Sequence, residues 1–152
     1  MKIAIGNDRQ GLILKQAILV WLRGNGHEVT DIGTNENIPC DYPIFAEKVA
    51  NLVANGICER GIAICATGIG VSIAANKVAG IRCGIAYNDE VTILMRQHND
   101  ANMIAFGQKF MSLESVERRL NLFLNTDYLG GYHQERIELI SKIENKQRGK
   151  WQ

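Results

Sequence analysis

Several early indications of class are missing from this chain. Its 152 residues hold 17 basic and 16 acidic side chains, a formal net charge of +1. Without an excess of positive charge there is no electrostatic basis for a nucleic-acid partner or an anionic membrane surface, and neither is expected. Long apolar runs are absent too. The longest apolar helical pattern, Leu12 to Leu22, is interrupted by Lys15 and Gln16 and is too short to cross a bilayer. The opening run Met1 to Gly6 has no basic start, extended apolar stretch or small-residue cleavage site, so a cytoplasmic location is expected. Cys40, Cys58, Cys65 and Cys83 form neither a C-x-x-C pair nor a zinc-type spacing, which predicts free thiols and no metal site. With no repeat, low-complexity segment or linker, a single domain over residues 1–152 is the economical reading.

What the chain does have is alternation between short β-type runs and longer helical stretches. Strands are predicted at Lys2 to Gly6, His27 to Ile32, Gly61 to Cys65, Ile81 to Tyr87 and Met103 to Phe106. Helices are predicted at Leu12 to Arg23, from Pro43 to Asn55, Val71 to Val78, Asp89 to about His98, Ser112 to Asn125 and Tyr132 to Asn145. The polar stretch Thr34 to Asp41 reads as a loop, and the last residues, Trp151 among them, as a frayed tail. This order predicts a doubly wound, Rossmann-like, three-layer α/β fold on a five-stranded parallel sheet. Such sheets bind ligands at the carboxyl ends of their strands. Asp8 and Arg9 follow the first strand, Cys65 ends the third, and His98 and Asn99 lie in the loop before the fifth. These residues are expected to gather there.

The most informative segment is Cys65-Ala66-Thr67-Gly68-Ile69-Gly70-Val71-Ser72, a strand entering a glycine-rich turn and a helix start. Main-chain N–H groups in such a turn converge on one space and suit a phosphate or an enediolate. A cysteine beside a helix N-terminus gains thiolate character, which suits a base for a proton next to a carbonyl. Taken alone, a buried strand-end cysteine above a plain turn explains the pattern as well. A dinucleotide fingerprint fails, because Ile73 stands where the third glycine belongs, and a Gly-Lys-Ser/Thr ending is absent.

The remaining candidates each have an ordinary reading. His98 and Asn99 suit ring opening and oxyanion binding, or simply a helix C-terminus. Asp8 and Arg9 suit hydroxyls and phosphate, or a helix cap and a solvated side chain. His133 and Arg136, three apart, share a helical face and form a cationic patch or a solvated one. His27 reads as a surface strand residue and Trp21 as helix packing.

Together these residues resemble, almost end to end, the type B ribose-5-phosphate isomerases and the galactose-6-phosphate isomerase subunits. The resemblance is carried by Lys2 to Gly11, Asp41-Tyr42-Pro43, Cys65 to Ser72, Ala74-Ala75-Asn76-Lys77 and Gly80-Ile81-Arg82. It continues through Arg96-Gln97-His98-Asn99-Asp100, Ala105-Phe106-Gly107 and Gly130-Gly131 with His133 and Arg136. It implies an aldose–ketose isomerase for a phosphorylated pentose or hexose, working through a cis-enediolate without metal or cofactor. Cys65 would move the proton between C1 and C2, with Thr67 and the amides of Gly68, Ile69 and Gly70 holding the oxyanion. By the same resemblance His98 would open the ring, Asn99 bind the intermediate, and Asp8 and Tyr42 contact hydroxyls. Arg9, Lys109 and Arg136 would serve the phosphate, and His133 would join them in binding substrate.

The resemblance also implies a homodimer or homotetramer with the site at the subunit interface and His98 and Asn99 supplied across it. The C-terminal helix, about 132–146, is expected to pack on a partner subunit. Two positions depart from the family: Arg9 replaces its usual His, and Tyr132 its usual Arg. Either the cation gained at Arg9 offsets the one lost at Tyr132, or the substrate differs, an unphosphorylated sugar included. A non-catalytic sugar-phosphate sensor is the other reading. A thiol redox enzyme is disfavoured, because no resolving cysteine neighbours Cys65 in sequence.

Overall fold

The computed structural model describes residues 1–148; Trp151 lies outside the described residues, while Lys146 to Arg148, read as part of a frayed tail, continue the last helix. Five parallel strands, β1 (Lys2–Asn7), β2 (Glu28–Asp31), β3 (Arg60–Cys65), β4 (Cys83–Ile85) and β5 (Met103–Gly107), form one sheet in the order β2-β1-β3-β5-β4. Six α-helices connect and follow them: α1 (Leu12–Gly24), α2 (Tyr42–Ala54), α3 (Ile69–Ala75), α4 (Asp89–Gln97), α5 (Leu113–Asn125) and α6 (Tyr132–Arg148). The expected α/β architecture with a five-stranded parallel sheet is present. None of the described helices is long and apolar enough to cross a membrane.

The strands follow from their two-residue period, read against two buried faces. On one face Ile3, Ile5, Ile62, Ile64, Ile104 and Phe106 meet α1 and α5. On the other, Ala4, Ala63, Cys65 and Ala105 meet α2 and α3. The smaller second face lets α2 come close: a Cβ on Gly6 would lie 2.7 Å from Val49. Cys65 therefore ends its strand on the α2/α3 side.

Local chemistry sets most helix ends. Asn88 accepts from Val91 N–H at 2.7 Å and starts α4, and Ser112 does the same for α5 through Ser115 at 3.3 Å. Pro43 falls in the first turn of α2, as predicted. Strand β4 is shorter than expected, because an edge strand pairing only with β5 makes a three-residue ladder. Its outer edge is partly covered by Asn76, whose amide exchanges 2.9 Å hydrogen bonds with both main-chain groups of Cys83.

Two side chains differ from expectation. Lys15, which interrupts the apolar pattern of α1, is fully buried and binds Asp31, the Thr34 carbonyl and Asn35, anchoring the loop after β2. His27 precedes β2 rather than lying in it, and is half-buried against Trp21 with ring centroids 6.5 Å apart. Trp21 does pack against the core, as its helix position predicts.

Candidate functional site

The strand-end edge carries a compact group of the predicted residues. The order β2-β1-β3 reverses between β1 and β3, where open α/β sheets place ligands. Asp8 leaves β1 there with its N–H on the Ile64 carbonyl at 3.3 Å, beside Cys65. Its Oδ1 accepts from the amides of Gln10 at 2.9 Å and Gly11 at 3.2 Å, so the capping reading holds and Oδ2 is left for a ligand. Burial pushes the Asp8 carboxyl above its ordinary range, against the pull of those two amides and Arg9.

Across the sheet Cys65 pairs in register with Gly107. A Cβ on Gly107 would lie 2.5 Å from the Thr67 carbonyl carbon, so only glycine lets the 65–68 turn cross here. The chain after β5 holds that turn through Gln108 N–H to the Cys65 carbonyl and Lys109 N–H to the Ala66 carbonyl, at 3.0 and 3.1 Å. This brings Lys109 to the same edge.

Within the turn Gly68 adopts φ +81°, a left-handed conformation, and its N–H donates to Cys65 Sγ at 3.1 Å. The Ile69 N–H donates to Thr67 Oγ1 at 3.2 Å. Two of the three amides expected to hold an oxyanion are thus engaged inside the turn. Among the described residues the N–H groups of Gly70 and Val71 have no partner, as first-turn amides lack one. Tyr42 lies over this turn, since a Cβ on Gly70 would stand 2.7 Å from its Cζ. Arg9 and Thr67 are exposed beside it, and Cys65 itself is 5% exposed. All four cysteines are free thiols, as expected. Cys83 is a packed thiol of the α3 side, its pKa pushed up to about 12 by burial.

The second group corrects the expectation that His98 and Asn99 gather with Cys65. Helix α4 returns antiparallel to the strands, so its C-terminus lies at their starts. Asn102 shows this directly: its carbonyl accepts from Gly61 N–H at 3.0 Å and its side chain from Arg82 N–H at 2.9 Å, at the openings of β3 and β4. A six-residue strand such as β3 spans roughly 16 Å. His98 is separated from Cys65 by about that distance in its own chain.

His98 has its own neighbours. Its ring stacks on His133 with centroids 4.2 Å apart and planes at 12°. His133 contacts Tyr132 at 4.1 Å, and the Arg136 guanidinium lies 4.4 Å above the Tyr132 ring while donating to the Tyr132 carbonyl at 2.7 Å. Tyr132 therefore holds Arg136 by cation–π stacking. His133 is buried, contrary to a solvated face, while Arg136 is exposed. Neither the His–His stack nor the burial of His133 was read from the sequence; the stack depends on how the α5–α6 connection brings α6 to His98, whereas the Tyr132–Arg136 contact is local to α6.

Loss of hydration, then the neighbouring His98 and Arg136, hold the His133 imidazole below its ordinary value. Above that value the ring is neutral in both folded and unfolded chains. As pH falls through it, the unfolded chain takes up the proton first, and stability declines until the folded ring is protonated too. His133→Asn should therefore flatten the stability loss between about pH 7 and about pH 5, followed by urea unfolding. His27, lowered by burial, acts with the same sign, so part of the slope remains. A slope identical to the parent's would clear His133 of this role.

A groove of about 820 Å³ also lies on the strand-start side, lined by Arg82, Met95, Asn99, Ile140 and Ile143 among others. Only Asn99 of the predicted site residues borders it, and Cys65 does not. Among the described residues no three His, Cys, Asp or Glu side chains are grouped to hold a metal ion.

The ribose/galactose isomerase family model matches residues 3–140. Ribose-5-phosphate isomerase B of Escherichia coli K12 is 46% identical over 145 residues, covering 95% of this chain and 97% of the relative. The solved structure of Clostridium thermocellum ribose-5-phosphate isomerase B superposes with a TM-score of 0.95 at 44% identity, covering 96% and 99% of the two chains. That of Mycoplasma genitalium ribose-5-phosphate isomerase B with bound ribulose-5-phosphate gives 0.91 at 36% identity, covering 95% and 97%.

Proposed function

Starting from the chain's membership of the ribose/galactose isomerase family, we propose that it interconverts the aldose and ketose forms of a phosphorylated pentose at a site completed by a second copy of the chain. The single observation that carries this reading is Cys65 beside a turn whose Gly70 and Val71 N–H groups make no hydrogen bond among the described residues. Ring opening comes first, with His98 of the second copy moving the proton between the ring oxygen and the anomeric hydroxyl. Cys65 then takes the C2 proton of the open aldose. The electron pair moves into the C1–C2 bond and the C1 carbonyl oxygen becomes an enediolate oxygen. The free amides of Gly70 and Val71 and the Thr67 hydroxyl receive that charge. The hydroxyl proton on O2 passes to O1, and return of the carbon-bound proton to C1 gives the ketose, with no net change in protons or electrons.

Asp8 and Tyr42 hold hydroxyls, and Asn99 of the second copy binds the intermediate. Phosphate is met by Arg9 and Lys109 from one chain and by His133 and Arg136 from the other. The case for two chains is geometric, because His98 and Cys65 occupy opposite edges of the sheet. Helix α6 supports the same arrangement, with Leu139, Ile140 and Ile143 each at least 46% exposed along its length. Covering such residues on a partner copy fits a homodimer, or a homotetramer built from it. A cytoplasmic location and a single domain over 1–152, without nucleic-acid or membrane partners, complete the proposal.

A panel of pentose and hexose phosphates with their free sugars tests it. Ribose 5-phosphate should convert to ribulose 5-phosphate fastest, and Arg9→Ala should raise KM for phosphorylated sugars while leaving free ones unaffected. Conversion of hexose phosphates alone would remove the pentose assignment. Equal effects of Arg9→Ala on phosphorylated and free sugars would remove Arg9 from phosphate binding.

A further inference from the structure

We infer that Arg82, Asp100 and Arg96 form a clamp that preassembles the strand-start half of the site, making them positioning residues for His98 and Asn99. The inference rests on the reading of His98 and Asn99 as groups that reach the substrate. Asp100 is the one non-glycine residue with positive φ among the described residues, at +44°. Side chains rarely accept that conformation, and it persists only where surroundings enforce it. Here two arginines do so from opposite sides. Arg82 Nη2 donates to Asp100 Oδ2 and to its carbonyl, both at 2.8 Å, and Arg82 Nε donates to the Asn99 carbonyl at 2.8 Å. Arg96 Nη1 donates to Asp100 Oδ1 at 2.8 Å and to the Ala101 carbonyl at 2.7 Å. The Asp100 N–H closes the loop on the Arg96 carbonyl at 3.1 Å.

The same clamp reaches the second element of this half-site. Arg96, 4% exposed and stacked over Phe123, also donates through Nε to the Thr126 carbonyl at 3.3 Å. Next to it Leu129 N–H donates to the Gln97 carbonyl at 3.1 Å. Residues 126–131 lead directly into His133, Tyr132 and Arg136. One buried guanidinium thus registers the 98–100 turn against the start of α6, and the His98–His133 stack follows. A turn serving only to reverse the chain would close with Gly or Asn at position 100 and neither arginine. Two cations on one carboxylate add directional rigidity, which a group handed to another chain's substrate requires.

The test is a double-mutant cycle on the full-length enzyme with ribose 5-phosphate. Asp100→Asn keeps the size and left-handed tolerance but drops the charge, and Arg82→Lys keeps a cation without the fork. Each should lower kcat, Asp100→Asn by about a hundredfold, with KM little changed. Spontaneous ring opening leaves His98→Ala a measurable residual rate, and in that background most of the loss should vanish, because the clamp acts through His98. Parental kcat in both variants overturns the clamp. A loss of the same size in both backgrounds makes the residues purely structural and overturns it as well. Unchanged kcat in His98→Ala alone would instead sink the reading of His98 and take the inference with it.

Discussion

Replacing Cys65 by alanine should abolish exchange of the sugar C2 hydrogen with solvent, while substrate still binds. A positioned general base accounts for about 10²- to 10⁴-fold in rate. The Asp8 carboxyl lies at the same edge, with Oδ1 held by two amides in its own turn and Oδ2 assigned to a substrate hydroxyl in the proposed reading. The loss should therefore appear in kcat rather than KM, since the free Gly70 and Val71 amides, Tyr42 and Lys109 do not depend on the sulfur. Proton NMR of ribose 5-phosphate in deuterium oxide measures the exchange, and equilibrium binding of the same sugar measures retention. Undiminished exchange would take the base role away from Cys65. Cys65→Ser makes a useful companion, because it keeps an acceptor for the Gly68 N–H while replacing the thiol with a much weaker acid.

A mixture of two impaired variants should recover more activity than either has alone. Cys65→Ala and His98→Ala chains, unfolded together and refolded, pair at random. Half of the dimers are then mixed, and each mixed dimer holds one site with both an intact Cys65 and an intact His98. Recovery should approach about a quarter of the parental activity, since that site is one of two in half of the dimers. The prediction follows from β3 alone: a strand separates the two residues within a chain, and no side chain spans that length. Refolding that yields dimers without recovering turnover would mean that Cys65 and His98 of one chain meet by some rearrangement of the sheet edge. The two-chain site would then be wrong, even if Cys65 keeps its role.

Much of the framework could be read before any coordinates. The strands were legible because Ile and Ala alternate in β1 and β3, and buried parallel strands need both faces apolar. The starts of α4 and α5 were legible to within a residue, and the structure shows Asn88 and Ser112 supplying the oxygens that first-turn amides require. The Cys65–Ser72 segment was legible as a strand entering a glycine turn and a helix start because glycine takes a positive φ most readily, and Gly68 does so. Less legible was which amide would face what. The sequence places three amides in the turn, but only the folded geometry shows Gly68 on the sulfur and Ile69 on Thr67.

Residue types and local spacing alone determined the chemistry on offer: a thiol above a glycine turn, an imidazole with an amide neighbour, and scattered cations for an anion. Tertiary structure decided which of these can act together. Parallel strands joined by returning helices send loops after strands to one edge and loops before strands to the other, whatever residues the loops contain. Distance along the chain carries no record of that sorting, so His98 and Cys65 look like partners in sequence and stand a sheet's length apart in the fold.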